Sequence, residues 1–401
     1  MQYALPAVGV CPILNQFFNP SFNKKLISLF FMKSVTTKIF YIIFLLVFTF
    51  FTAEILLRIF HPFPVRLKGN KIVLPQNQVY NINNVNSAKL DKNIVHRKNS
   101  LGFRGEEKPE GFSNYLSIVT VGGSTTECFY INEGKDWTHL LGDKLKNKFK
   151  PLWINNAGLE GHSTFGHQVL LEDYLLKLHP KLVLFLIGIN DVGIENLRAE
   201  DKHNLYSQHE ISFFNTLAEH SEVFNLIRII QKVRYAKKMN LTNNNINLLK
   251  LEKFSLSKAA KSKIVAKQVP LSLNYKERIL KLIETCRKHN IEPVLITQPC
   301  VYGVGIDSLT GVNLSTIKID KEKNGETGWA VLQLYNDQAR AVAKETDTYL
   351  IDLANEMPKN SFYFYDLVHF TNEGCTKVAQ IISKDISPYL QNKFSQYYIN
   401  N

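Results

Sequence analysis

Leu182-Val183-Leu184-Phe185-Leu186-Ile187 is an unbroken apolar run, and Gly188-Ile189-Asn190-Asp191 follows it directly. A short strand with no polar residue on either side is one covered on both faces, as in a parallel sheet held between helices. The flanking sequence fits that reading. Leu116–Val121 (LSIVTV) and Leu152–Asn155 read as strands before it, and Pro293–Thr297 and Tyr349–Asp352 as strands after it. Apolar spacing predicts helices over Asp136–Lys148, Gly166–His179, Leu273–His289, Trp329–Thr346 and Asn372–Leu390, the last with Thr371 as its cap. Five strands alternating with helices predict an α/β protein, a three-layer α/β/α sandwich on a five-stranded parallel sheet. Such sheets bind ligands at the carboxyl ends of their strands.

Two segments stand outside this rhythm. Ile39–Phe60 is apolar except for Glu54 and Arg58. As a helix it spans roughly 33 Å at about 1.5 Å per residue, enough to cross a bilayer core. Glu54 and Arg58, four apart, share a helix face and can pair near its rim. Phe51-Thr52-Ala53 is a poor small-x-small cleavage site, so the segment reads as an uncleaved signal anchor. Lys24, Lys25, Lys33 and Lys38 before it place the N-terminus in the cytoplasm, though Arg58, Arg66, Lys68 and Lys71 follow it. Met32-Lys33 would make an ordinary start for such an anchor. The second segment, 192–270, interrupts the alternation with the helical stretch Glu222–Lys238 and the Asn-rich tract Asn243–Asn247, and reads as an inserted helical cap. The expected organisation is a cytoplasmic segment 1–38, a transmembrane anchor 39–60, a linker and lead-in 61–114, and an α/β domain 115–401 that carries the inserted cap 192–270. That domain would lie outside the cytoplasm.

Net charge follows the same division. Of the formal +13, residues 1–72 hold eight bases and one acid, residues 192–270 thirteen bases and seven acids, and the remainder is balanced. A basic excess beside an anchor is explained by membrane topology and headgroup contact, so nucleic acid is not needed to account for it. Charged residues at 21% and aromatics at 11% exclude a disordered chain. The five cysteines form no CxxC and no metal spacing, and describe no disulfide framework.

Polar motifs gather after the predicted strands. Gly122-Gly123-Ser124-Thr125-Thr126-Glu127 places a serine at a strand-to-helix turn, where its hydroxyl meets fresh backbone N–H groups. The pattern lacks GxGxxG and a following Lys, which disfavours a phosphate loop. Asn156-Ala157-Gly158-Leu159-Glu160-Gly161-His162 offers glycines whose amides can approach a ligand. Asn190 can donate a side-chain hydrogen bond. Asp366-Leu367-Val368-His369 sets a histidine three residues after an aspartate, a spacing in which the aspartate can fix the tautomer of a general base.

Taken in order, these blocks resemble the SGNH (GDSL-like) hydrolase superfamily over roughly Gly102–Leu390, including the lead-in Gly102-Phe103-Arg104-Gly105 and the Trp137 helix. The resemblance implies a flavodoxin-like arrangement of the five-stranded parallel sheet. It implies Ser124 as nucleophile, His369 as general base and Asp366 as its orienting partner. The oxyanion hole would comprise Ser124 through its N–H, Gly161 through its N–H in preference to Gly158, and Asn190 through its side chain. One departure is Gly123, where the family carries Asp before the serine. The implied activity is a membrane-anchored serine esterase that removes an acetyl or short acyl group from a glycan or lipid, with no metal or organic cofactor and no nucleic acid. An O-acyltransferase acting on envelope polysaccharide and an inactive glycan- or lipid-binding module are the competing classes. Among other residues, His162 and His167 are expected to be solvated or capping, with substrate contact as the alternative, Cys128 to pack, and Gln298-Pro299 to be a candidate pocket lining.

Overall fold

The computed structural model describes residues 35–60, 67–68, 71–84, 87–195, 213–238 and 246–399. Cys11, nearly all of the 1–38 segment, and 196–212 and 239–245 of the 192–270 segment lie outside the described residues. The chain divides into two units, Met1–Gly69 with Glu210–Asn243, and Asn70–His209 with Asn244–Asn401.

In the first unit, α1 spans Val35–Phe60, and its Thr37–Phe60 stretch is long and apolar enough to cross a membrane. Glu54 and Arg58 pair along its face, with Nε to Oε1 at 2.8 Å. The same carboxylate accepts hydrogen bonds from the Ser221 hydroxyl and the N–H groups of Glu222 and Val223. It thereby caps the first turn of a helix over Glu222–Lys238, where N–H groups have no partner within the helix.

The second unit is built on a six-stranded sheet. A hairpin precedes that sheet in sequence, β1 (Gln78–Asn83) with β2 (Asn93–Lys98), followed by the short strand β3 (Arg104–Gly105). The sheet then takes β4 (Leu116–Gly122), β5 (Leu152–Asn156), β6 (Leu182–Leu186), β7 (Glu292–Ile296) and β8 (Tyr349–Ile351) in the spatial order β8-β7-β6-β4-β5-β3. The five long strands are parallel, with Ile118 opposite Leu182 and Gly122 opposite Leu186. The sheet departs from the five-stranded expectation by one strand. β3 joins β5 antiparallel, Arg104 facing Asn156, and makes the sheet mixed. A two-residue edge strand is too short to show any periodicity, so sequence pattern passes over it.

All five residues of β6 are fully buried. Leu182, Leu184 and Leu186 enter one core with Trp137, Leu141 and Leu145 of α2 (Trp137–Lys146) and with Val378, Ile382 and Ile386 of α3 (Asn372–Lys393). Val183 and Phe185 alternate onto the other face. Each such side chain contributes about 1.5–3 kcal/mol by leaving water. Asp136 caps α2 and Thr371 caps α3, each accepting an N–H in the first turn. The helix expected from Leu273 begins fifteen residues earlier, at Lys258, where the Ser257 side chain caps it, and it runs to Lys288 through Pro270. Its first turns are mostly exposed, and of their apolar residues only Ala260, Ile264 and Val265 are half-buried, among lysines, too thin an apolar face to extend the periodic signal of its second half. The boundary drawn at residue 270 therefore falls inside a helix.

Along the sheet, β4 has the second and third long strands on either side. The crossover direction reverses there, between β4 and β6, the position at whose carboxyl ends such sheets bind ligands.

Candidate active site

Ser124 opens a four-residue helix, Ser124–Glu127, directly after β4. The two preceding glycines are required by close approach. A Cβ on Gly122 would meet the Thr126 side chain and the Leu186 carbonyl, and one on Gly123 would meet Asn190 Nδ2. Gly123, where the family has Asp, thus lets the Asn190 amide lie against the serine turn. A helix this short leaves nearly all its carbonyls unpaired, and buried side chains satisfy them. Trp137 Nε1 donates to Thr125 O (3.0 Å), Asn156 Nδ2 to Thr126 O (2.6 Å), and Arg104 to Glu127 O (3.3 Å) and Cys128 O (2.8 Å). Arg104, from the GFRG lead-in, is buried and also pairs with Asp136 at 3.6 Å.

The loop before α3 brings in the second group. Asp366 Oδ1 accepts the N–H groups of Val368 (2.9 Å) and His369 (2.7 Å), and its Oδ2 lies 2.6 Å from His369 Nδ1. His369 Nε2 lies 2.7 Å from Ser124 Oγ. The structure therefore joins Ser124, His369 and Asp366 in one hydrogen-bonded chain. Burial raises a carboxyl pKa, yet here the neighbouring imidazole and the two N–H donors outweigh it and hold Asp366 below its ordinary range. Burial also works against an imidazolium. The Asp366 carboxylate, through charge and hydrogen bond, with a smaller contribution from Glu160, overcomes it and raises His369 above its usual value. Tyr365 stacks on the imidazole, with centroids 5.5 Å apart and planes 13° apart. Lys89 Nζ donates to the carbonyls of Ser361 (2.7 Å) and Phe364 (3.0 Å), tying the lead-in to the histidine loop.

The third group faces the serine from the ends of β5 and β6. Leu159–His162 forms a turn closed by His162 N–H to Leu159 O (3.2 Å), with Gly161 at φ +79° in its third position, where a type II turn needs glycine. Among the described residues neither Ser124 N–H nor Gly161 N–H donates a hydrogen bond. Gly158 differs, because its N–H already donates to Asn156 Oδ1 (2.9 Å) and a Cβ there would meet the Glu127 backbone. Asn190 Nδ2 uses one hydrogen on His162 O at 3.0 Å, which leaves the other for a ligand.

Several supporting residues escaped sequence reasoning. Asp191, fully buried, accepts from Thr164 N–H and Oγ1 and pairs with Arg278 at 3.2 Å, so it locks the Asn190 turn to the helix Thr164–Leu170. Lys98 and Glu127 form a buried ion pair at 3.4 Å, and Glu127 also accepts the Glu160 N–H at 2.6 Å. The available signal for Glu127 was its place one helical turn after Ser124; Lys98 and Arg278 had none. Two expectations need correction. His162 and His167 are not solvated but buried, and burial, then the neighbouring His162, push His167 well below its usual pKa and keep it neutral. Gln298, also fully buried, accepts a hydrogen bond from Thr125 Oγ1 rather than lining a pocket. Among the described residues no group of three or more His, Cys, Asp or Glu side chains could hold a metal ion.

The sequence profile of the GDSL-like lipase/acylhydrolase family matches residues 120–377, a span that runs from the last residues of β4 through Ser124 and His369 into α3. The chain belongs to this family. It is accordingly a hydrolase of ester bonds. Among solved structures, similar chains include an acetyl xylan esterase (16% identity, 67% of this chain and 98% of that one, TM-score 0.38). Others are an acetylxylan esterase from Geobacillus stearothermophilus (13%, 67% and 93%, TM-score 0.38) and an alpha/beta hydrolase enzyme from the metagenome of Lake Arreo, Spain (14%, 68% and 95%, TM-score 0.39). No curated protein sequence matches the chain.

Proposed function

We propose that the chain is a membrane-anchored serine esterase in which Ser124, His369 and Asp366 carry out acyl transfer to water. The observation that carries this reading is the continuous hydrogen-bonded chain from Ser124 Oγ through His369 to Asp366 at 2.7 and 2.6 Å. As Ser124 Oγ attacks the ester carbonyl, His369 Nε2 takes its proton and later returns it to the leaving alkoxide. Asp366 holds the Nδ1–H tautomer that this requires. The tetrahedral oxyanion falls to the N–H groups of Ser124 and Gly161 and to the free Asn190 amide hydrogen, and one such donor contributes about 2.7–4 kcal/mol to the transition state. Water then attacks the acyl-serine with His369 as base.

The substrate we assign is an acetyl or short acyl ester of a glycan or lipid. The apolar helix α1 would tether the enzyme to a bilayer with its catalytic part outside the cytoplasm. A fluorophosphonate probe should label the full chain and fail to label Ser124→Ala; equal labelling of the variant would refute the serine assignment. Turnover across a panel of acetylated oligosaccharides and short-chain lipid esters identifies the substrate, and protease protection in sealed vesicles reads the side of the membrane.

A further inference from the structure

We propose that Glu127 is a positioning residue that sets the span between the two backbone donors of the oxyanion hole. The inference rests on the oxyanion reading given above for Ser124 and Gly161. Those donors come from different parts of the chain. One is on the Ser124–Glu127 helix, the other on the Leu159–His162 turn, and no covalent geometry relates them. Their separation must nevertheless be held to a fraction of an ångström, because a donor displaced by about 1 Å can cost on the order of 100-fold in rate.

Glu127 provides that link. It is the last residue of the helix that Ser124 begins. Its own N–H donates to Gly123 O (2.9 Å) and its carbonyl accepts from the buried Arg104, so its backbone is fixed to the serine turn. Its carboxylate reaches across to the other element, where Oε2 accepts the Glu160 N–H at 2.6 Å. Glu160 is the second residue of the turn, and the next peptide carries the Gly161 N–H. The carboxylate thus grips the turn one peptide from the donor. Its other oxygen lies 3.4 Å from Lys98 Nζ, with both side chains about 1% exposed, a contact that restricts the rotation of the carboxylate. Gly158 allows the two elements to touch, since a Cβ there would meet the Glu127 backbone.

The test separates the hydrogen bond to Glu160 from the buried charge. In Glu127→Leu/Lys98→Met an apolar pair of similar volume replaces the ion pair, a change that buried sites commonly tolerate. Glu127→Gln/Lys98→Met removes the same charges but keeps an acceptor for the Glu160 N–H. The full chain is assayed in detergent with an aryl acetate, alongside thermal melting. The Leu pair should lose about 10- to 100-fold in kcat with KM within about twofold, while the Gln pair recovers to within about threefold of the parent. Affinity for an arylboronic acid, which forms a tetrahedral adduct on the serine, should fall with kcat. Should the Leu pair fail to fold, Glu127→Asp keeps the charge and withdraws the carboxylate, and it should show the same loss of kcat and boronate affinity. Equal kcat in the Leu and Gln pairs, or an Asp variant with parental kcat, overturns the proposal. Asn190→Ala tells the two layers apart: a loss of kcat upholds the oxyanion reading, and an unchanged kcat overturns that reading itself.

Discussion

Asp366→Asn is the sharpest test of how the charged chain at the proposed active site works. In the parent, one carboxylate oxygen accepts the N–H groups of Val368 and His369, and the other faces His369 Nδ1 at 2.6 Å. Asparagine can keep the first oxygen in place, so the loop retains its shape. The second position becomes an NH2 group, a donor, and it can pair only with an Nδ1 that has lost its proton. The imidazole is then driven to the Nε2–H tautomer, which presents a proton to Ser124 where an acceptor is needed. Two losses add. A buried hydrogen bond to a charged group contributes about 1.5–3 kcal/mol, and the tautomer must be reversed before attack. Together they correspond to a fall in kcat of about 10³- to 10⁴-fold, or roughly 4–5.5 kcal/mol. The pH profile supplies an independent reading. Asp366 is what raises His369 above its ordinary value against burial, so the parent should lose activity as pH falls through a value above about 6.5. In the variant burial acts without that carboxylate, and the acid limb of kcat/KM should move to lower pH. The assay is steady-state hydrolysis of an aryl acetate between pH 5 and 9, on protein whose circular dichroism matches the parent. A variant within tenfold of parental kcat, with an unmoved acid limb, would refute the general-base assignment.

Two further outcomes follow from the same geometry. Glu160 is the second carboxylate whose charge raises His369. Glu160→Gln should therefore shift the acid limb of kcat/KM downward, by less than Asp366→Asn does; an upward shift would contradict the assignment. Arg104→Met withdraws a buried guanidinium from four backbone carbonyls and from Asp136, a loss of about 3–5 kcal/mol. The melting temperature should drop by about 10 °C, and a change below 2 °C would mean that water or neighbouring groups replace those bonds.

Much of the body was legible before any coordinates. The LVLFLI run announced a strand covered on both faces because burial on two sides leaves no room for alternation, and β6 is buried throughout. Thr371 is legible as a cap because helix ends impose a local chemistry, whereas Asp136, the first residue of the expected helix, is its cap in the structure. Periodicity failed where the physical cause of structure was not periodic burial. β3 is two residues long, and the first half of the Lys258–Lys288 helix is held by its Ser257 cap and mostly exposed. The histidines at 162 and 167 were misjudged for a related reason. Polar residues in a glycine-rich loop look solvent-facing in one dimension, whereas these are buried.

The sequence by itself determined the alternation of strands and helices, the apolar span at 39–60, and the set of residue types able to carry acyl-transfer chemistry, since each is a matter of local composition and spacing. Only the tertiary structure decided their mutual placement. Ser124 and His369 are 245 residues apart yet 2.7 Å from each other, because β4 lies mid-sheet and the loop before α3 returns to its carboxyl end. Cys128 and Cys375, unpaired by any spacing rule, come to 3.9 Å by the same return. The choice of Gly161 over Gly158 as a free N–H also belongs to the fold, because a backbone donor's availability depends on what packs against it. Lys98, Arg104, Glu127 and Arg278 act through partners distant in sequence, and no local pattern encodes a contact that exists only once the sheet has closed.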